Sequence, residues 1–276
     1  MMEDVNGLST YEEEVVQYVK KDTIHALLFL AIILLLNIIR NVFPSLHGGF
    51  HATLIIHSIQ LVALFVLLMK KGQGLRSVGI HLANWKKALA VGLVFAAVNL
   101  ILFNGVLSGV LGGWQLRGIV AIIGTVASLL FLAFYEDVFF FGYFQTRIYG
   151  LVKKDWLAVF VVALLFAVMH WPSWLVAAIT GEHQWFGDYS WGMFAFHNIS
   201  WIMFHIFVNT IFRHLRSIIT VTLFHFSMNL AMGAREGLWQ LDSYEIGSTS
   251  FISFGIVYGF IMFVIWWISP QRKNKR

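Results

Sequence analysis

Residues 118–147 read GIVAIIGTVASLLFLAFYEDVFFFGYFQTR. No charge occurs from 118 to 135, so the stretch approaches the ~20 mostly apolar residues a bilayer-spanning helix needs. Two adjacent carboxylates, Glu136 and Asp137, then fall among the five phenylalanines and two tyrosines of residues 134–147. A charge at the bilayer centre costs at least ~2.5–3.5 kcal/mol on insertion scales, so a buried acidic pair needs a partner or a task. One reading is a general base for hydrolysis; the other is a structural ion pair with an arginine of a neighbouring helix.

The rest of the 276-residue chain agrees with a membrane setting. Hydrophobic residues make up 59% and charged residues only 12%, about half the charge of an average soluble domain; mean hydropathy is +0.76. So few charges exclude a soluble enzyme, a disordered chain and a nucleic-acid binder. With no cysteine, there is no disulfide, thiolate metal site or cysteine nucleophile. Eight apolar runs are expected to span: 24–40, 50–69, 88–107, 118–147, 155–176, 191–212, 217–233 and 250–268. They predict an all-α polytopic bundle, with an acidic segment at 1–23, one domain over 24–268 and a basic tail at 269–276. No secretory signal precedes the first run, and 11–22 (YEEEVVQYVKKD) predicts a short amphipathic helix on the membrane surface.

Sixteen of the 19 lysines and arginines fall on one side when the spans alternate, including Lys70, Lys71, Lys86, Lys87, Lys153 and Lys154. Only Arg40, Arg117 and Arg235 fall on the other. By the positive-inside rule both termini are cytoplasmic.

Further ionisable groups occupy later spans. Arg147 lies eleven residues after Glu136, on the same face of a regular helix, and predicts a guanidinium snorkelling at the boundary. His170 follows LLFAVM and precedes Trp171-Pro172, where proline is expected to kink or end the helix. His225 and Asn229 stand i and i+4 on one helix face and could donate two hydrogen bonds to one oxyanion. His205 and Asn209 repeat that spacing, and periodicity does not choose between the pairs. For either pair, interhelical hydrogen bonding is the plain alternative. His47, His51, His57 and His197 are read as polar tips near span ends.

The segments EDVFFFGYFQTR (136–147), FAVMH (166–170) and HFSMN (225–229), in this order, resemble the CPBP family of CAAX proteases and bacteriocin-processing enzymes, also called Abi. That family includes the type II CAAX prenyl endopeptidase, and its pattern is EExxxR, FxxxH and HxxxN/D on separate helices. The motif core spans 136–230, and the link at 71–88 is also similar. The resemblance implies an intramembrane endopeptidase with Glu136 as base, His170 helping it activate water, and His225 with Asn229 at the oxyanion. It favours His225/Asn229 over His205/Asn209. Asp137 and Arg147 are supporting residues in this reading. Asp137 replaces the second glutamate and Phe141 the motif arginine, so Asp137 must be neutral or paired elsewhere.

No cofactor is expected; zinc on Glu136, His170 and His225 is the alternative. The expected partners are the bilayer and a protein or peptide substrate, such as a prenylated CAAX C-terminus, without nucleic acid. The location would be the cell membrane of a prokaryote or the endoplasmic reticulum of a eukaryote. Two rivals stand beside the protease: a weak or inactive relative acting as a scaffold or immunity protein, and a proton-coupled transporter using the buried carboxylates.

Overall fold

Leucine-rich runs with few polar interruptions satisfy their backbone hydrogen bonds internally only as helices, and the elements follow that rule. The computed structural model describes residues 11–42, 49–83, 85–111, 119–180 and 191–233. Among them the helices are α1 (Tyr11–Val15), α2 (Lys20–Val42), α3 (Gly49–Lys70), α4 (Trp85–Leu111) and α5 (Ile119–Asp137). After a π-helical segment at Val138–Phe144 come α6 (Gln145–Val152), α7 (Asp155–Met169), α8 (Trp171–Thr180), α9 (Trp191–Leu215) and α10 (Ile218–Gly233). A 3-10 turn occupies Leu75–Val78. The expected all-α class holds, while the eighth expected span at 250–268 and the tail at 269–276 lie outside the described residues.

Large apolar side chains point outward as well as inward. Leu28, Ile59, Ile101 and Ile123 are all more than half exposed, as lipid-facing positions would be. Two helical stretches, Lys20–Ile39 and Ile123–Val152, are long and apolar enough to cross a membrane. Leu54–Lys70, Asp155–Met169 and Ile218–Leu230 are shorter apolar helices.

The fourth run is not a uniform α-helix. Val138 to Phe144 form π turns, in which hydrogen bonds reach one residue further than in an α-helix. All seven of these residues are buried. Gly142 permits the close packing here: a Cβ added to it would meet the Val78 carbonyl oxygen at 2.6 Å. Phe139 stacks on Phe29 at 5.5 Å, and Phe140 meets Phe166 edge-on at 4.9 Å. Thus α2, α7 and the 3-10 turn converge on the wide turn.

The fifth run divides at His170, as Pro172 predicts. α7 ends at Met169 and α8 begins at Trp171, which puts Pro172 in the first turn of α8, where a missing N–H costs little. α10 is held to α4 by polar contacts. The Thr220 hydroxyl donates to the Ala88 carbonyl (2.8 Å) and the Asn99 amide donates to the Ser227 hydroxyl (2.8 Å).

The segment at 11–22 corrects one expectation. The expected amphipathic helix over 11–22 does not form as one element. α1 is one short turn, and Tyr11, Val15 and Tyr18 are each 2% exposed, packed into the core. Glu14 forms a buried ion pair with Arg216 from the turn between α9 and α10. Apolar burial of two tyrosines and a valine outweighs what the surface face of so short a helix could gain.

Candidate active site

Asp137 closes α5 and Glu136 precedes it, so both reach inward where the helix widens into the π segment. α10 presents His225 to them. His225 Nδ1 lies 2.8 Å from Asp137 Oδ1, and Nε2 lies 3.6 Å from Glu136 Oε2. The imidazole thus bridges two carboxylates of adjacent residues. Asp137 is fully buried, whereas the Glu136 side chain is 18% exposed. Of the two, Glu136 is the one that a water or a substrate can approach. The sequence left Asp137 neutral or paired elsewhere; its partner is His225.

His170 occupies the break between α7 and α8. Its Nδ1 lies 2.9 Å from the Phe166 carbonyl oxygen. A carbonyl only accepts, so Nδ1 carries the proton in this bond and a neutral ring leaves its Nε2 lone pair available. The FxxxH spacing thereby acquires a physical meaning, a side chain bonding back to the carbonyl one turn earlier. The His170 ring stacks on Trp201 at 4.0 Å and 15°. Phe166 stands between the two histidines, with ring centroids 5.0 Å from His170 and 6.5 Å from His225. Phe204 packs 4.8 Å from the His225 ring.

Asn229 lies one turn beyond His225 on α10 and is half-buried. The fold therefore brings Glu136, Asp137 and His225 into direct contact and sets His170 across Phe166 from them. The second HxxxN pair is elsewhere: His205 and Asn209 on α9 are both fully buried and contact neither carboxylate by hydrogen bond. His205 stacks on Phe141 at 4.5 Å and 21°. A phenylalanine in place of the motif arginine is thus accommodated by an aromatic ring rather than by an acid.

Arg147 departs from expectation in two ways. It does not snorkel, since it is 1% exposed; and the π segment turns it off the Glu136 face that a regular helix would give it. Its Nη1 donates to the Ser77 carbonyl (3.0 Å), and its Nη2 donates to Gln73 Oε1 (2.8 Å) and to the Ser77 hydroxyl (3.0 Å). The guanidinium is sandwiched between the rings of Tyr18 (4.4 Å) and Tyr143 (4.7 Å). Enough acceptors and π faces meet it inside the protein that it need not reach water.

Among the described residues, no three His, Cys, Asp or Glu side chains are arranged to hold a metal ion. In the zinc alternative on Glu136, His170 and His225, the ring nitrogens already engaged are His225 Nδ1, by Asp137, and His170 Nδ1, by a backbone carbonyl; partners of that kind behind a ring leave Nε2 as the nitrogen that would ligate. Sequence reasoning missed Trp201 and Phe204, because aromatic residues in an apolar run look alike whether they face lipid or a site. It also placed His57 near a span end, whereas that ring is buried and stacks on Tyr135 at 4.2 Å.

Two carboxylates and a histidine thus meet in the interior of a helical, apolar chain. Residues 118–231, which contain every group of the cluster, match the family model of the type II CAAX prenyl endopeptidase Rce1-like family. The match supports the CPBP assignment drawn from the motifs, and with it a peptidase role in general. No curated relative matches the chain.

Proposed function

We propose that the protein is an intramembrane endopeptidase that hydrolyses a peptide bond with a water activated by Glu136 and His170. The single observation that carries this reading is His225 lying between Asp137 and Glu136, beside the only one of the two carboxylates with exposure. Glu136 takes the proton of the water, and the free Nε2 of His170 can accept the other hydrogen and hold it in place. The water oxygen attacks the scissile carbonyl directly. His225 acts as the imidazolium, its Nδ1–H held by the Asp137 carboxylate and its Nε2–H donated to the developing oxyanion, with Asn229 on the same face as the second donor. The proton held on Glu136 passes to the departing amine, which restores the carboxylate, and no acyl-enzyme forms.

In this reading the eight spans cross the bilayer with both termini cytoplasmic and the domain runs from 24 to 268. The outward leucines and isoleucines of α2 to α5 support it, as does the crowding of lysine and arginine at one end of the helices. The substrate is a membrane-associated protein or peptide, a prenylated CAAX C-terminus being the first to test. Cleavage of a farnesylated CAAX peptide by purified protein, with and without chelator, is the direct experiment. Turnover lost in Glu136→Gln and indifferent to chelator supports the mechanism. Turnover retained in Glu136→Gln refutes it.

A second reading draws on Phe141. With the motif arginine replaced by a ring stacked on His205, the chain acts as a scaffold without turnover. A silent wild type that Asp137→Glu plus Phe141→Arg does not awaken favours the scaffold.

A further inference from the structure

Away from the carboxylates, a cavity of about 280 Å³ opens at the basic end of the bundle, close to the lower limit of ~300 Å³ usual for small-ligand sites. It lies between the end of α1, the 72–77 link, His81 and the α9–α10 turn. Two cations line it, Arg76 and Arg216, with one carboxylate, Glu14. Arg216 is 7% exposed, and its Nη2 is paired with Glu14 while its Nη1 meets no hydrogen-bond acceptor in the protein. Burial lowers its pKa to about 10, so it keeps its charge at neutral pH. Arg76 is exposed. Gly72 and Gly74 leave open space on the same wall, where an added Cβ would meet nothing within 4 Å.

The rest of the wall is fixed by other contacts. His81 Nε2 lies 2.6 Å from the Arg216 carbonyl oxygen and Nδ1 lies 3.1 Å from the Ala83 carbonyl oxygen, and a neutral ring donates to one of them. Ser77 is gripped by Arg147. The cavity is therefore preformed, with one positive charge left after Glu14 neutralises its partner. A buried arginine nitrogen without an acceptor costs about 1–3 kcal/mol; Nη1 has almost no accessible surface, so an oxygen anion meets it once the guanidinium turns toward the cavity, and that contact removes the cost. Guanidinium groups match phosphate oxygens in geometry as well as charge. Lys70 and Lys71 precede the link that forms this wall, Lys71 being paired with Asp22 (3.1 Å), and Lys153 donates to the carbonyl of the lining residue Tyr18 (2.9 Å).

We propose that this cavity binds a phosphate-bearing anion, with Arg76 and Arg216 as its cationic contacts. This rests on the membrane reading only in naming a lipid headgroup as one source; free phosphate is the other. The test is thermal unfolding of the full chain in neutral detergent, titrated separately with phosphatidylglycerol, phosphatidylcholine and inorganic phosphate. A saturable rise with phosphatidylglycerol alone assigns a lipid headgroup, and one with inorganic phosphate assigns the free ion. In either case Arg76→Gln weakens the apparent affinity roughly tenfold, the loss of about 1.4 kcal/mol expected for one charged contact. Lys87→Gln, at the same end but outside the cavity, leaves it unchanged. Arg216→Lys tests the buried contact while keeping the charge that Glu14 needs, and also weakens binding. No response to any titrant overturns the site, and so does a response that Arg76→Gln leaves intact. Because the readout is binding, a protein without proteolytic turnover can still pass or fail it.

Discussion

Asp137 and His225, 88 residues apart in sequence, meet at 2.8 Å in the interior, Oδ1 against Nδ1. Asp137 has no exposure and cannot itself meet a substrate. In the proposed mechanism its effect passes through the imidazole, whose orientation it sets, as a carboxylate behind a functional histidine does in many enzymes.

Asp137→Asn keeps the shape and removes the charge. In a protein with CAAX-peptide turnover, kcat falls about 10–100-fold by analogy with other outer-shell partners, while KM changes little. Steady-state kinetics read the split, and an equal loss in KM and none in kcat would place Asp137 in substrate binding instead.

In the proposed mechanism Glu136→Gln removes the base without emptying its site. The expected loss in kcat is about 10²–10⁴-fold, with expression and thermal stability close to wild type because the side chain is partly exposed. Immunoblot level alongside the peptide assay separates lost chemistry from lost protein.

Arg147→Lys tests the clamp on the 73–77 link. Lysine supplies a point charge but not the fork that holds Ser77 and Gln73 together. A loss of about 2 kcal/mol is expected from the charged hydrogen bonds, a fall of several degrees in Tm for a chain of this size. The 73–77 link should also become a site of limited proteolysis.

Gly142→Ala and Gly124→Ala form a matched pair. At Gly142 the new methyl would lie 2.6 Å from the Val78 carbonyl oxygen, so overpacking costs about 1–3 kcal/mol. At Gly124 nothing lies within 4 Å, and alanine in mid-helix is neutral to stabilising by about 0.5–1 kcal/mol. Thermal melts should place Gly142→Ala below the wild type and Gly124→Ala at or above it.

Much of this was legible because apolar runs and proline are strong local signals. The helices at 24–40, 50–69, 88–107, 191–212 and 217–233 appear where the runs lie, and the break at His170 is where Pro172 puts it. The two HxxxN pairs were not separable by spacing, since both put their side chains on one face. Only tertiary packing distinguishes them: His225 meets carboxylates and His205 meets phenylalanines. The face of Arg147 was misplaced because counting eleven residues as three turns assumes one pitch throughout, and a π segment has no compositional signature to warn of it; its burial follows from acceptors and rings that only tertiary packing brings to it. Tyr11 and Tyr18 carry no local sign of burial in so acidic a segment, yet the rings are apolar enough to be drawn into the core.

The π segment has a consequence for what this helix can tolerate. One continuous rod carries the carboxylates at one end and an anchoring arginine at the other, and each must face its own set of neighbours. With α-helical rotation alone, the spacing between them would dictate both directions at once. The wide turn supplies an independent phase, so the two ends are aimed separately. Deleting one residue between Val138 and Phe144 would return the rod to ordinary pitch, and either Arg147 or the pair at 136–137 would then swing away from its partners. Insertions and deletions should be excluded from these seven positions more strictly than substitutions are.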